Sequence, residues 1–591
     1  VSIGSKIGAA GDIILDGKNG VILKDGENFA SIREQNEKIR AGLFATANGK
    51  KLSASAGVEA AYSKDYNGRT MITPEKNVLV TNKNILIKSD EGNVLLQGDF
   101  GAKENIGVFA EKGKIYIKDS TSEILTDSQS VNARVALALN LNLGGIKDTF
   151  KSFKEGYKTL KEIPNVGRVA SFINDIAKGK SLLESLEGRE ETINAMSTLF
   201  QGPSSGGVSA GLGLNVSFDT TKSASQYLKN VTTNMRAGQD ILLKSHELEI
   251  NGSFIRAEND LEMDAKKIKL EASADRYSAK SRSIGANLGI TFWGAEGVSV
   301  GANYGTMKSE GTMYNNTQIQ AGNKLKIKAD NMEIRGGRAV GKHVEADIRE
   351  NLLVESLQDK EEMKQIGVNV GYSMQKGKGQ DGKPDNRHNG SLGGNYGRKD
   401  KAWVAEQSGI IGTESADVKV GKELALIGGI IANIDENGKD KGNLTLSYGS
   451  LRTQDIESHD KMINLNGNIE INQRSRDNNT ELVLNNKKGK NKTGDNVKEV
   501  PNRVDETYGV GVEGHKREKV TRATIGNGTV NSGKPIEVGV NRDITRAEEM
   551  LKDVNVQKTE FIFKSEPNSW GDFNKIMSSN AGIIGNFLDD M

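Results

Sequence analysis

Between Arg236 and Met374 the hydrophobic positions keep one rhythm, change to another, and then start again. In the first rhythm, apolar-x-apolar triplets follow one another at short intervals: ILL at Ile241, LEI at Leu248, FIR at Phe254, LEM at Leu261 and IKL at Ile268. Each triplet is a minimal strand, with its outer side chains on one face and the middle one on the other. Gly, Asn, Asp, Lys and Ser stand between triplets, residues that tolerate turns. Three such strands and three corners make one turn of roughly 20 residues, and stacked turns bury the inward side chains in a continuous core. An antiparallel sandwich needs longer strands, of about 5–6 residues, set apart by hairpin signals. The pattern therefore predicts an all-β fold, a parallel β-helix. The second rhythm, SIGANLGITFWGAEGVSVGANYGTMKSEG, predicts Gly-rich β-hairpin excursions from the coils.

The whole unit then repeats. Ala237-Gly238 recurs as Ala321-Gly322, Ile250 as Ile334 and Gly252 as Gly336, at one constant offset, and IGANLG from Ile284 becomes IGVNVG from Ile366. Self-similarity of this kind signals a repeat architecture. Coil triplets extend upstream (residues 1–35 and 77–125) and downstream, with LAL at Leu424, LTL at Leu444, INL at Ile463, IEI at Ile469 and LVL at Leu482. A first hairpin is expected over Leu43–Tyr62 around a central NGK, and a last one in ETYGVGVEGHKREKVTRATIG.

Three stretches depart from this texture. From Ile146 to Phe200, Phe150, Phe153, Tyr157, Leu160 and Ile163 fall three and four apart, as on one helix face. Because VALALNLNL precedes and GVSAGLGLNVSFDTT follows, residues 146–201 read as an α-helical insertion between two strands of one hairpin. Residues 375–400 read as a polar, Gly-rich loop leaning to disorder. Residues 541–591 read as a helical or irregular tail leading to a further module, with Asp543 or Thr545 as possible caps. The domain expectation is thus coils with hairpins over 1–145, the insertion at 146–201, repeats over 202–540, and the tail.

Composition narrows the function. The chain has 591 residues with 69 Gly, 7 Pro, no Cys, and 80 basic against 78 acidic residues. The charge balance gives no reason to expect nucleic acid, and the absence of Cys excludes disulfides and thiol catalysis. No apolar run approaches the roughly 20 residues of a membrane-spanning helix. Gly509–Gly514 spells GxGxxG, but a charged strand-like run follows it where a dinucleotide site needs a helix, so it reads as a repeat feature. His246, His343, His388, His459 and His515 lie far apart in sequence, without metal-ligand spacing. Asp381, Asp385, Asn386 and Asn389 crowd one loop but lack the calcium-loop spacing. The basic run Asn486–Lys492 reads as solvated loop, and Trp293 as the end of a hairpin. No catalytic, cofactor-binding or metal-ligating residue is expected, no cofactor, and no small-molecule substrate. The alternative, a β-helix enzyme acting on polysaccharide, needs clustered acids and aromatic platforms, and the aromatics here are scattered.

The unit AGxxLxIxAxxxxIxGG followed by xxIGxNxGxS resembles the haemagglutinin repeats of filamentous haemagglutinin-like exoproteins exported by two-partner secretion. TRATIGNGTV and NRDITRAEEMLKDV are similar to the end of the repeat region in contact-dependent growth-inhibition exoproteins. The resemblance covers most of residues 1–555. It implies a right-handed β-helix rod, secreted and cell-surface associated. It also implies an outer-membrane transporter as partner of the full-length protein, and a target-cell receptor or outer membrane as the surface it meets. The family has no active site in these repeats. Neither its amino-terminal secretion domain nor a toxin is recognisable here, so a piece of a longer protein is expected. The function implied is surface contact or adhesion with delivery of a toxin to neighbouring bacteria; a passive stalk is the remaining possibility.

Overall fold

A triplet strand cannot bury its apolar face alone, and in this protein each one stacks on the equivalent triplet of the next turn. The computed structural model describes residues 1–48, 53–142, 209–291, 296–377, 384–475, 502–532 and 540–565. These are almost wholly β, the exception being a single 3-10 turn at Ile544–Arg546. Twenty-two short strands pair in parallel, coil upon coil. One ladder runs Leu79, Phe100, Met235, Ile255, Ile319, Ala339, Ile410, Ile431, Ile525, each the Cα partner of the next. A second runs Ile13, Ile85, Ile106, Ile241, Leu261, Leu325, Val344, Ala416, Leu444. A third runs Val21, Val94, Ile115, Leu248, Ile268, Met332, Leu352, Leu424, Leu451. Nearly all of these side chains are buried and belong to one core. Like residues over like residues make that core a continuous rod.

The corners are built as regularly as the ladders. Gly252 and Gly336 take positive φ, 52° and 69°, a region closed to most side chains. The residue that starts the next face is a buried hydroxyl or amide: Asn77, Thr233, Ser253, Thr317 and Ser408. Thr233 donates to the Lys118 carbonyl at 2.6 Å and Thr317 to that of Glu271 at 2.6 Å, which satisfies these groups where the backbone turns.

The excursions form eleven long strands: β1 (Gly26–Asn48), β2 (Ser53–Glu75), β3 (Ser120–Asn142), β4 (Ser209–Val231), β5 (Ser273–Thr291), β6 (Gly297–Asn315), β7 (Gln358–Gln375), β8 (Asn386–Val404), β9 (Ile456–Ser475), β10 (Asn502–Thr521) and β11 (Glu548–Ser565). Within each hairpin the partners are antiparallel, and each hairpin also pairs with the next. The eleven form one antiparallel sheet in strictly sequential order. The pairing of β3 with β4, Asn142 opposite Ser209, makes the flanks of residues 143–208 two strands of one hairpin. The α-helical insertion expected at 146–201 lies outside the described residues.

Four expectations are corrected. The loop expected over 375–400 is largely β8, paired along its length with β7 and β9. Asn389, Ser391, Gly393, Asn395 and Gly397 form one face of a strand rather than a coil. The INL and IEI triplets at Ile463 and Ile469 lie in β9, in the antiparallel sheet, and are not coil strands. Residues 26–35 belong to β1, so the first hairpin is longer than Leu43–Tyr62. The tail does not open as a helix: Asp543 accepts from the Thr545 backbone N–H at 2.9 Å, but only one turn follows before β11. The alternation in Val554-Asn555-Val556 suits an edge strand on β10, and this tertiary pairing overrides the local spacing.

Candidate functional site

Side chains alternate across a strand, so the register decides which of them share a face. Val300 of β6 faces Leu288 of β5 and Tyr372 of β7. Tyr304 faces Ile284 and Val368, and Ala302 faces Ala286 and Val370. Val370 in turn faces Leu392 of β8, which faces Ile469 of β9, which faces Tyr508 of β10. These partners all lie on one face. Toward the other end of the sheet, the same face carries Val216, Phe218, Ala133, Val135, Ala60 and Tyr62, where a small cluster is buried. Over β5–β8 the stripe is open to solvent: Val370 is 50% exposed, Val300 48% and Leu392 48%, with Ile284, Tyr304, Ile366, Val368, Tyr372 and Tyr396 also exposed.

The opposite face is polar. It carries Asn287, Asn303, Asn369 and Asn395, each lying over a glycine of a neighbouring strand: Gly301, Gly285, Gly393 and Gly367 respectively. A Cβ on any of these glycines would collide with the amide beside it, so Gly and Asn alternate as a matter of space. Two shallow cavities, of about 430 and 390 Å³, open on this face and share Asn303 and Asn369. Asn, Ser and Gly predominate in their walls, with Met307 and Gln365 in the smaller cavity and Glu470 the carboxylate of the larger one. Carbohydrate hydrolysis needs a pair of carboxyl groups flanking the bond, and these walls do not supply it.

The titratable groups singled out by sequence are structural in their surroundings. His388 is 1% exposed, shares a hydrogen bond of 2.9 Å with the Tyr372 hydroxyl, and burial pulls its pKa down. His343 meets Ser415 at 3.0 Å in the coil stack, and His246 is exposed on a coil strand. His459 lies 3.4 Å from Asp400, and His515 3.1 Å from Asp460. An imidazole on a carboxylate is a general-base arrangement, but Asp460 is buried and also paired with Arg517. Arg517 and Lys519 stack on the Trp403 ring at 5.6 and 4.8 Å. The result is an ion-pair knot near the roots of β8–β10, outside both cavities. Asp385 accepts from Arg474 at 2.9 Å and from Arg387 at 3.2 Å. The Arg474 hydrogen bond, with Arg387 beside it, outweighs burial and holds the carboxyl at about 2. It therefore clamps β8 to β9. Gly509–Gly514 lies within β10 with no helix after it. Asp381, Trp293 and Asn486–Lys492 lie outside the described residues. Among the described residues no group of three or more His, Asp or Glu could hold a metal ion, and no helix is long and apolar enough to cross a membrane.

Sequence reading missed the stripe. Each Gly-rich segment showed the alternation, yet only the register between hairpins joins the short runs into one surface.

Comparison with known proteins agrees with this architecture of repeats. The hemagglutinin repeat family matches residues 1–99 and 212–370. Toxin CdiA of Escherichia coli is 28% identical over 287 residues, 44% of this chain and 9% of that protein. Deoxyribonuclease CdiA of Dickeya dadantii is 25% identical over 308 residues, 47% of this chain and 9% of that protein. The tRNA nuclease CdiA of Yersinia mollaretii is 24% identical over 479 residues, 76% of this chain and 16% of that protein. The chain thus spans between 9% and 16% of the length of these relatives. No solved structure matches it. Repeated coils, matching repeat sequence and these relatives together make the chain similar to haemagglutinin-repeat regions such as those of the CdiA proteins.

Proposed function

We propose that this segment is a rod that makes contact with a neighbouring bacterial cell and takes part in delivering a toxin carried elsewhere in a longer secreted protein. The observation that carries this reading is the open apolar stripe on the hairpin sheet. A large exposed apolar patch on a protein surface marks an interaction site, and here it lies along a rigid stack of coils. Many modest contacts repeated on one scaffold add through effective concentration. The outer-membrane transporter and the cell-surface location belong to the same proposal for the full-length protein. So does the right-handed sense of the coils, which parallel β crossovers adopt in nearly all cases.

The test is saturable binding of the labelled chain to bacterial and to host epithelial cells, alongside a Val370→Asp/Leu392→Asp variant. Binding to bacteria that the variant loses is expected. Binding to host cells alone turns the reading to adhesion, and equal binding by the variant removes the stripe from it.

A further inference from the structure

Over β5–β8 both faces of the hairpin sheet are open, although an antiparallel sheet ordinarily packs one face on a core. On the face opposite the stripe, five strands (β5–β9) cross five rows of positions, from the row of Ser299 to that of Met307. These twenty-five positions hold nine Asn, eight Gly and five Ser, with Met307, Gln365 and Glu470. Charged residues make up 27% of the chain, yet only Glu470 ionises in this patch. Asn287, Asn303, Asn369 and Asn395 are exposed, and no hydrogen bond from another described side chain reaches their amides. Each amide has two donors and an acceptor to offer outside the chain.

The central row of the patch points to what covers it. Asn303 and Asn369 are direct partners there, with Gly285 and Gly393 on either side. A two-fold axis along this row lays a second copy of the patch on the first with its strands reversed. Asn303 then meets its own copy, and so does Asn369, while Asn287 meets Ser283, Asn395 meets Ser391 and Gln365 meets Ser373. Amide meets amide or hydroxyl each time, and an amide is its own complement. Two Asn side chains joined by an N–H···O bond span about 10 Å between Cα atoms, which is the separation of packed sheets. The first cations beyond the patch, Arg387 and Lys399, are already paired with Asp385 and Glu361. The footprint, about 24 by 34 Å, is on the order of 800 Å² on each copy, the size of a standard stable interface. Asn303 lies about 40 Å along β6 from its rod end at Asn315, and about 20 Å from its tip end at Gly297. The axis therefore sends the two rods to opposite sides, about 80 Å apart, and each tip stops short of the other rod.

We infer that this amide face pairs two copies of the chain, sheet on sheet. The interface is isologous, with the same patch on both sides. It leaves both apolar stripes facing outward, and it stands whether or not the contact reading above holds. Amide hydrogen bonds replace bonds to water for a small net gain, so pairing in the micromolar range is expected.

The experiment is sedimentation equilibrium of the whole chain across micromolar concentrations. Twice the chain mass is expected at the upper end. Asn303→Asp and Asn303→Lys each set like charges on the axis and should weaken pairing at least about tenfold, with an unchanged far-ultraviolet dichroism spectrum. Mixed in equal amounts, the two variants should pair with each other, which a merely misfolded variant cannot do. A parent chain that stays monomeric overturns the inference, and one that does so while retaining neutral dextran gives the face to a glycan instead. Charge variants that pair as well as the parent, or a mixture that stays monomeric, overturn it too.

Discussion

Asp119 stands where a coil strand ending at Lys118 gives way to β3, and burial pushes its carboxyl up to about 6, with Ser273 and its own backbone N–H opposing the shift. An Asp in the unfolded chain titrates at about 3.9. The folded chain therefore holds this proton more tightly, and the stabilising contribution is full below about pH 4 and fades as the pH rises through about 6. Asp119→Asn should flatten the change in urea midpoint between pH 4 and pH 7; an unchanged pH profile would place the dependence elsewhere. Gly336 is a steric matter. Its φ is 69°, and a Cβ there would sit 2.5 Å from that of Ala272. Gly336→Val should cost about 1–3 kcal/mol in urea unfolding, and a variant as stable as the parent would deny this corner.

At the scale of single elements, the Asp385–Arg474 clamp lies at the end of β8 far from the rod. Arg474→Ala should speed amide exchange at Asn386–Asn389 and leave the Lys399–Val404 end protected. Uniform protection would show that the clamp adds nothing. The fold was legible in the sequence where the cause is local. Ile250 and Ile334, or Gly252 and Gly336, recur because every turn needs a buried triplet and a corner. It was illegible where the cause is distant. Only Leu392, Tyr396 and a few others mark the apolar face of β8, while Gly393, Asn395 and Gly397 have the composition of a loop. Their strand identity comes from Asn369 and Gln365 of β7 lying over them. The tail misled in the opposite way: residues 541–591 read as helical or irregular, with Asp543 or Thr545 as caps, but β10 offered an edge that Val554 and Val556 could extend.

For the molecule as a whole, the claim that decides the rest is that the excursions are not separate arms but one sheet. Nothing within a single hairpin dictates it. Ala302 and Val370 belong to different hairpins with coil turns between them, yet they are direct partners across β6 and β7. Without that pairing there is no continuous apolar stripe. The chain contains no cysteine, so an introduced pair reports cleanly. Directly opposed antiparallel residues have Cα atoms about 4.5–5.5 Å apart, within disulfide range. The measurement is disulfide formation under mild oxidation, by peptide mapping, in Ala302→Cys/Val370→Cys, beside the within-hairpin control Ala286→Cys/Ala302→Cys. The fused sheet predicts an intramolecular crosslink in both. A crosslink in the control alone would leave the hairpins as independent arms and contradict the account.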